Sequence, residues 1–350
     1  MVWRDVRPLV TSEEAAYSFL DPSVSMSPYY HRAFQGATLN PHTLWFVELD
    51  TSKSLNVSRP YVMTSEEAYK LCKEEKWKLR INGLVDRQFL FVTVLSDDIL
   101  PFFIRGTTLT VLPVAVEEDR YVLMDHEAIL SHGFEGASDW TQQAETIFAG
   151  RSKDQAMTAQ DRLDYQHLLT LQNPNAPFIV LYNKSGTNIS CAVLTREQSA
   201  HYSDLEVGGF VAESVTYRIY TSTEEEALYL VGVLNSTVVN DAIKPYQTEG
   251  VYHGKRDIHR RPFEVCPIEE FDPTSAAHQE IVNLARLGRE KMGRAAGSLT
   301  GSLAKVRERS RELLQEEIAR IDEIVGESFR LMVPPLLEEA DTKEKQAGLF

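Results

Sequence analysis

Apolar positions along the 350-residue chain fall into two periods, and the change between them divides the sequence into regions. From Ser27 onward, β-branched and aromatic runs bounded by Gly, Pro and Asn predict strands. These are residues 43–49 (TLWFVEL), 60–64 (PYVMT), 81–95 (INGLVDRQFLFVTVL) and 108–116 (TLTVLPVAV). Residues 65–79 (SEEAYKLCKEEKWKL) interrupt them with helical spacing behind a capping Ser65. Two further helical patterns lie at 141–150 and 159–172. A hairpin is expected over 177–194 around an Asn-Lys-Ser-Gly-Thr-Asn turn, and a strand or strand pair over 208–220. Thr223 caps a helix whose apolar positions Ala227, Leu230, Val231, Leu234 and Val238 share one face. The pattern from Pro273 to about Met332 is helical, broken at Gly293–Gly301, where three glycines each cost about 1 kcal/mol relative to Ala.

This pattern gives an α+β, mixed-sheet protein with a C-terminal helical segment. Its parts are a lead-in (1–26, with a short helix near Ser12–Phe19), a first α+β lobe (27–118), a second α+β lobe (119–272), helices (273–335) and a tail (336–350). The stripe Leu303, Val306, Leu313, Leu314, Ile318, Ile321, Ile324 reads as intramolecular packing in preference to a dimerisation coil.

Composition narrows the functions open to such a chain. Three scattered cysteines, Cys72, Cys191 and Cys266, write neither a disulfide framework nor a zinc site and fit a reducing, cytoplasmic compartment. No run approaches the roughly 18–20 apolar residues of a membrane span, and the N-terminus carries no signal-peptide stretch, so no membrane partner is expected. A net charge of −15 disfavours contact with nucleic acid over the whole surface. The charge is uneven, however. Residues 284–311 hold eight basic against two acidic side chains, and Lys255–Arg261 hold four against Asp257, so a single basic face remains possible beside a solvated-helix reading.

Several chemistries lack their residues. No Gly-x-Gly-x-x-Gly or phosphate-cradling loop occurs, and Asn173-Pro174-Asn175-Ala176-Pro177-Phe178 lacks the adjacent prolines of an adenine-holding loop and reads as a turn. His253, Asp257 and His259 have no third ligand at zinc spacing. Glu48-Leu49-Asp50-Thr51-Ser52-Lys53 reads as the end of a surface strand, not a magnesium-nuclease signature. The strongest positive signal is the loop Tyr252–Arg261. Its arginines suit guanine edges or phosphates, and its bland counterpart is an exposed turn in which Asp257 pairs an arginine.

Three features read in order: the Leu-Asn-Ser helix end at Leu234–Ser236, the glycine and Arg-Asp-Ile strand near 254–258, and the Pro-Ile turn at 267–268. With the Gln-Gly-Ala-Thr turn at 35–38, they resemble the C-terminal target-recognition region of large adenine-N6 DNA methyltransferases of the restriction-modification type, a TaqI-like specificity domain without its catalytic domain. The resemblance covers about residues 25–330 and departs from the family at His42, where a basic residue is usual. It implies sequence-specific recognition of double-stranded DNA through Arg32, Gln35, Lys255, Arg256, His259, Arg260 and Arg261. It also implies a separate methyltransferase catalytic subunit or domain carrying S-adenosylmethionine, with no cofactor and no catalysis in this chain. The alternatives are an interaction protein or decayed methylase fragment that does not bind DNA, and a divergent nuclease. Calorimetric titration of the purified chain with S-adenosylmethionine is expected to give no saturable heat at micromolar cofactor; a clear isotherm would overturn this expectation.

Overall fold

The computed structural model describes residues 26–154, 156–247 and 256–332. The lead-in helix, the tail and Lys255 therefore lie outside the described residues. The fold is α+β. Its main strands are β1 (Phe34–Gln35), β2 (Phe46–Leu49), β3 (Tyr61–Thr64), β4 (Asn82–Leu84), β5 (Leu90–Thr93), β6 (Thr108–Val111), β7 (Phe178–Asn183), β8 (Cys191–Thr195), β9 (Gly209–Phe210) and β10 (Thr216–Thr221). The main helices are α1 (Glu135–Arg151), α2 (Glu224–Asn235), α3 (Thr237–Ile243), α4 (Arg261–Val265), α5 (Ala276–Ala295), α6 (Leu303–Leu313) and α7 (Gln315–Met332).

One sheet has the order β9-β5-β6-β2-β3-β4 and is antiparallel except for β9, which runs parallel to β5. The other, β1-β10-β7-β8, is wholly antiparallel. The two exchange material. Phe34 and Gln35 join the second sheet before the chain builds the first, and the 208–220 run divides, giving β9 to the first sheet and β10 to the second. At this crossing the buried Glu213 carboxylate accepts from the Val215 amide at 2.7 Å and the Ser214 hydroxyl at 2.9 Å, which turns the chain out of one sheet and into the other. Gly36 lies against the same turn, and a Cβ there would sit 2.2 Å from the Glu213 carbonyl oxygen, so glycine is required.

Helix α1 closes the first sheet, with the Trp140 indole donating to the Leu44 carbonyl at 3.0 Å. Helix α2 lies at the centre of the second core. Every residue from Ala227 to Asn235 is buried, because one side meets β7, β8 and β10 while the other meets α5 and α7. Gly232 sets the approach of α5: a Cβ there would lie 2.5 Å from Ile281 Cγ2. Val306, Leu314, Ile318 and Ile321 are buried in the same core, as intramolecular packing requires, although Leu313 is exposed.

Thr223 accepts from the Glu226 amide as the N-cap of α2, and the hairpin forms as β7 and β8. Four expected elements end early, begin late or divide. The helix expected over 65–79 stops at Leu71, and Trp77 is carried onto Phe148, with ring centroids 5.5 Å apart. The pattern at 159–172 stays helical only to Leu163, because Asp164 accepts from the Leu169 and Thr170 amides and holds a loop in their place. Thr43–Trp45 form part of a short helix before β2 begins. The C-terminal segment breaks at the three glycines and again at the buried Leu314, giving α5, α6 and α7.

The Leu-Asn-Ser string is where the edge of the second sheet is sealed. Asn235, fully buried, accepts from the Cys191 amide at 3.1 Å and donates to the carbonyls of Cys191 and Val231, each at 2.8 Å. Ser236 caps α3 by accepting from the Val239 amide, and Asn240 accepts from the Ile189 amide at 2.6 Å. Replacing Asn235 by Ala leaves the Cys191 amide buried without an acceptor. The expected loss is about 2–3 kcal/mol, read as a lower urea midpoint at unchanged slope; a midpoint equal to wild type would show that this seal is dispensable.

Candidate nucleic-acid interface

Two segments that the sequence singles out, 27–41 and the described part of the basic loop, 256–261, meet in space; Tyr252, His253 and Gly254 lie outside the described residues. Ser27 donates its amide to the Phe263 carbonyl at 3.0 Å and its hydroxyl to the Ile268 carbonyl at 2.7 Å, while Tyr29 packs against Phe263. Ser27 also caps the 3-10 turn Pro28–Arg32, which leads into β1. From the other direction, residues 256–258 lie along the hairpin loop: Asp257 bridges Ser185, Gly186 donates to the Arg256 carbonyl, and Ile258 donates to the Lys184 carbonyl, both at 2.9 Å. Ile258 is buried and anchors the strand, and Pro262 at the start of α4 ends it.

The junction sets Arg260 among aromatic rings. Its guanidinium carbon is 5.3 Å from the Tyr30 ring centroid and 5.4 Å from that of Phe34, whose side chain is 38% exposed. The Arg260 side chain makes no hydrogen bond or ion pair with any described residue, so its five donors remain available to a ligand while ring contacts restrain its plane. Across the strand pair from Phe34 lies Arg218, only 1% exposed. Arg218 donates to the Tyr220 hydroxyl at 2.9 Å and to the Gln35 carbonyl, and its guanidinium carbon is 5.8 Å from the Phe34 centroid. A buried cation with neutral partners is costly unless its donors are satisfied, and here Tyr220, Gln35 and two ring faces supply that environment.

The other expected contact residues fall into different states. Arg256 is half-buried, and its side chain makes no hydrogen bond or ion pair with a described residue. Arg261 lies 3.5 Å from Glu264. His259 lies 3.6 Å from Asp257 and 5.8 Å from the Tyr217 ring, with positive φ and its carbonyl held by the Tyr182 hydroxyl. Burial lowers its pKa, outweighing the opposite pull of Asp257, so it presents a neutral imidazole near neutrality. Arg32 is committed internally, to Glu226 at 2.8 Å and to the Tyr220 carbonyl at 3.0 Å. Gln35 donates to the Ser214 carbonyl at 3.0 Å. His42 is 3.5 Å from the buried Glu213 carboxylate.

The basic run at 284–311 does not form an open face. Arg289 and Arg286 reach Glu224 at 2.8 and 3.8 Å, and Lys291 reaches Glu317 at 2.5 Å. Arg311 donates to the Asn235 and Ile189 carbonyls, and Arg307 to those of Ser96 and Ile99. Burial pushes the Arg307 pKa down to about 10 and lowers that of Arg311, which still leaves both charged near neutrality. These cations brace α5 and α6 against α2, the hairpin loop and the turn at 96–99. Among the described residues no group of three or more His, Cys, Asp or Glu is placed to hold a metal ion, and no helix is long and apolar enough to cross a membrane.

The sequence reading missed Tyr30, Phe34 and Arg218 as parts of this cluster. Arginine within the aromatic strand TYRIY was the available signal, but its partner Phe34 is 184 positions away and is joined to it only by strand pairing.

No family model matches the chain, and no curated protein does. Among solved structures it is similar to the Type IIL restriction-modification enzyme MmeI in complex with DNA, at 11% identity, covering 90% of this chain and 34% of that one with a TM-score of 0.49. It is also similar to the type IIG restriction endonuclease BpuSI, at 13% identity, covering 92% of this chain and 33% of that one with a TM-score of 0.36. The chain thus spans about a third of the length of either enzyme. At these values neither likeness assigns a role to any residue here.

Because the folded pKa of His259 lies below its unfolded value, its neutral form stabilises the fold above the unfolded pKa of about 6.5. That contribution is lost as pH falls toward the folded pKa. Imidazole shifts followed by NMR are expected to give a His259 midpoint below about 6.5, and acid sensitivity in this range should diminish in His259→Gln. A midpoint above the free-histidine value would show that Asp257 dominates and that the ring carries charge at the interface.

Proposed function

We propose that this chain is the DNA target-recognition module of a restriction-modification adenine-N6 methyltransferase. In this reading it docks on duplex DNA and positions a separate catalytic subunit or domain, which holds S-adenosylmethionine, over the target adenine. The observation that carries the reading is Arg260: a guanidinium with no acidic partner among the described residues, oriented by Tyr30 and Phe34 where the two family-like segments converge. Such a group can take a guanine O6/N7 edge through paired donors, or a phosphate. Arg256 and Arg261 flank it, Lys255 directly precedes them in sequence, and phosphate contacts from these residues set register while base contacts supply specificity. The neutral His259 serves as a hydrogen-bonding group in this scheme. Arg32 and Gln35 act by holding the turn and β1 that carry Tyr30 and Phe34.

A chain of net charge −15 binds duplex only where the local field is positive, so affinity should concentrate in this loop. Replacing Lys255, Arg256, Arg260 and Arg261 together by Ala is expected to abolish duplex binding with the fold intact. Arg260→Ala alone should weaken it by about 1–3 kcal/mol. The log-log salt slope should fall by about 0.9 for each phosphate contact removed. Arg260→Lys, which keeps the charge but loses the planar fork, should retain non-specific binding and lose sequence preference. Duplex binding by the quadruple variant at wild-type affinity and slope would refute the assignment; absence of duplex binding by the wild-type chain would favour the interaction-protein alternative.

A further inference from the structure

A cavity of about 480 Å³ opens between the first lobe and the 148–162 segment, and none of its lining residues touches Arg260. Its apolar surface comes from Pro41, Ala68, Trp77, Phe148 and Met157. Trp77 is fixed from two sides: its ring stacks on Phe148 at an interplanar angle of 25°, and its carbonyl accepts from the Thr43 hydroxyl at 2.6 Å. Its lining also includes Lys73, Lys76, Lys153 and Arg162 against Glu74 and Asp154, four cations to two carboxylates on a strongly acidic chain. Lys76 is engaged, with its ammonium 4.9 Å from the Trp77 ring centroid and 3.8 Å from Glu74. The side chains of Lys153 and Arg162 make no hydrogen bond or ion pair with a described residue, and neither does the amide of Asn40, which also lines the cavity.

We propose that this cavity binds a purine nucleotide, either free or as an unpaired unit of a nucleic-acid strand. A cavity of this size suits a ligand of that class, and apolar walls with a few convergent polar groups are the usual form of such a site. The base takes the place of the Lys76 ammonium over the Trp77 ring, with the Phe148 stack kept, the Asn40 amide offers the donor and acceptor that pair with an adenine edge, and Lys153 and Arg162 take the phosphate. The site shares no residue with the duplex interface proposed above and stands independently of it.

The test is calorimetric titration of the full chain with adenosine monophosphate, adenosine and single-stranded oligoadenylate. Adenosine monophosphate should bind saturably and about tenfold or more tighter than adenosine, the increment a charge-assisted phosphate contact supplies. In Lys153→Ala/Arg162→Ala the nucleotide and the nucleoside should bind alike, and Asn40→Ala should weaken both together. If the double variant does not fold, Lys153→Gln is read in the same way and should narrow the preference. Tighter binding of oligoadenylate than of the monophosphate assigns the site to a strand, and the reverse assigns it to the free nucleotide. Arg260→Ala should leave the adenosine monophosphate and adenosine isotherms unchanged, and oligoadenylate is titrated against that variant, which separates this site from the duplex reading. No saturable heat with any probe, or a wild-type phosphate preference in the double variant, overturns the proposal.

Discussion

The exposed edge of the second sheet is the constraint on which the rest of this fold depends. Strand β8 ends that sheet, and an edge strand presents unpaired amides and carbonyls that must find partners once buried. Asn235 satisfies Cys191 on both its amide and its carbonyl, Phe102 donates to the same carbonyl, and Asn240 and Arg311 satisfy Ile189. Those groups come from α2, α3, α6 and the 99–104 hairpin. Four separate pieces of chain are thus held in register by one strip of backbone, and the C-terminal helices are part of the second sheet's core.

Local pattern was enough to locate most of this architecture. The hairpin at 177–194, the capped helix from Thr223 and the break near Gly293 follow from period, capping and glycine, which act over a few residues. What stayed hidden depends on distant pairing. The strand at 208–220 reads as one run because nothing in its composition shows that Glu213 bends it between two sheets. Residues 159–172 read as helix because the competing Asp164 loop uses two backbone amides, a hydroxyl and an imidazole, none of which marks the pattern as non-helical. Arg32 and Gln35 were marked as contact residues by their neighbourhood; the structure gives their donors to Glu226, Tyr220 and Ser214, through contacts 179–194 positions away that no local window contains.

The fate of the basic residues carries a related lesson. Clustered positive charge in a sequence says nothing about direction, and along 284–311 most of it turns inward onto carbonyls and carboxylates of the same chain. A short loop with fewer cations retains the open guanidinium. Burial of charge on carbonyl oxygens is tolerable where geometry is fixed, and here α2 and the sealed sheet edge fix it.

The repeated passage of the chain between the two sheets, from β1 to β2, from β6 to β7, from β8 to β9 and from β9 to β10, bears on how such a protein can change over evolutionary time. A lobe joined at a single linker can be exchanged whole by recombination. Here one junction would leave a strand of each parent in the wrong sheet, so hybrids between related sequences should rarely fold. In the proposed reading, new specificity then arises by substitution on a retained backbone, at positions such as those flanking Arg260, and variation within a lineage should be concentrated there.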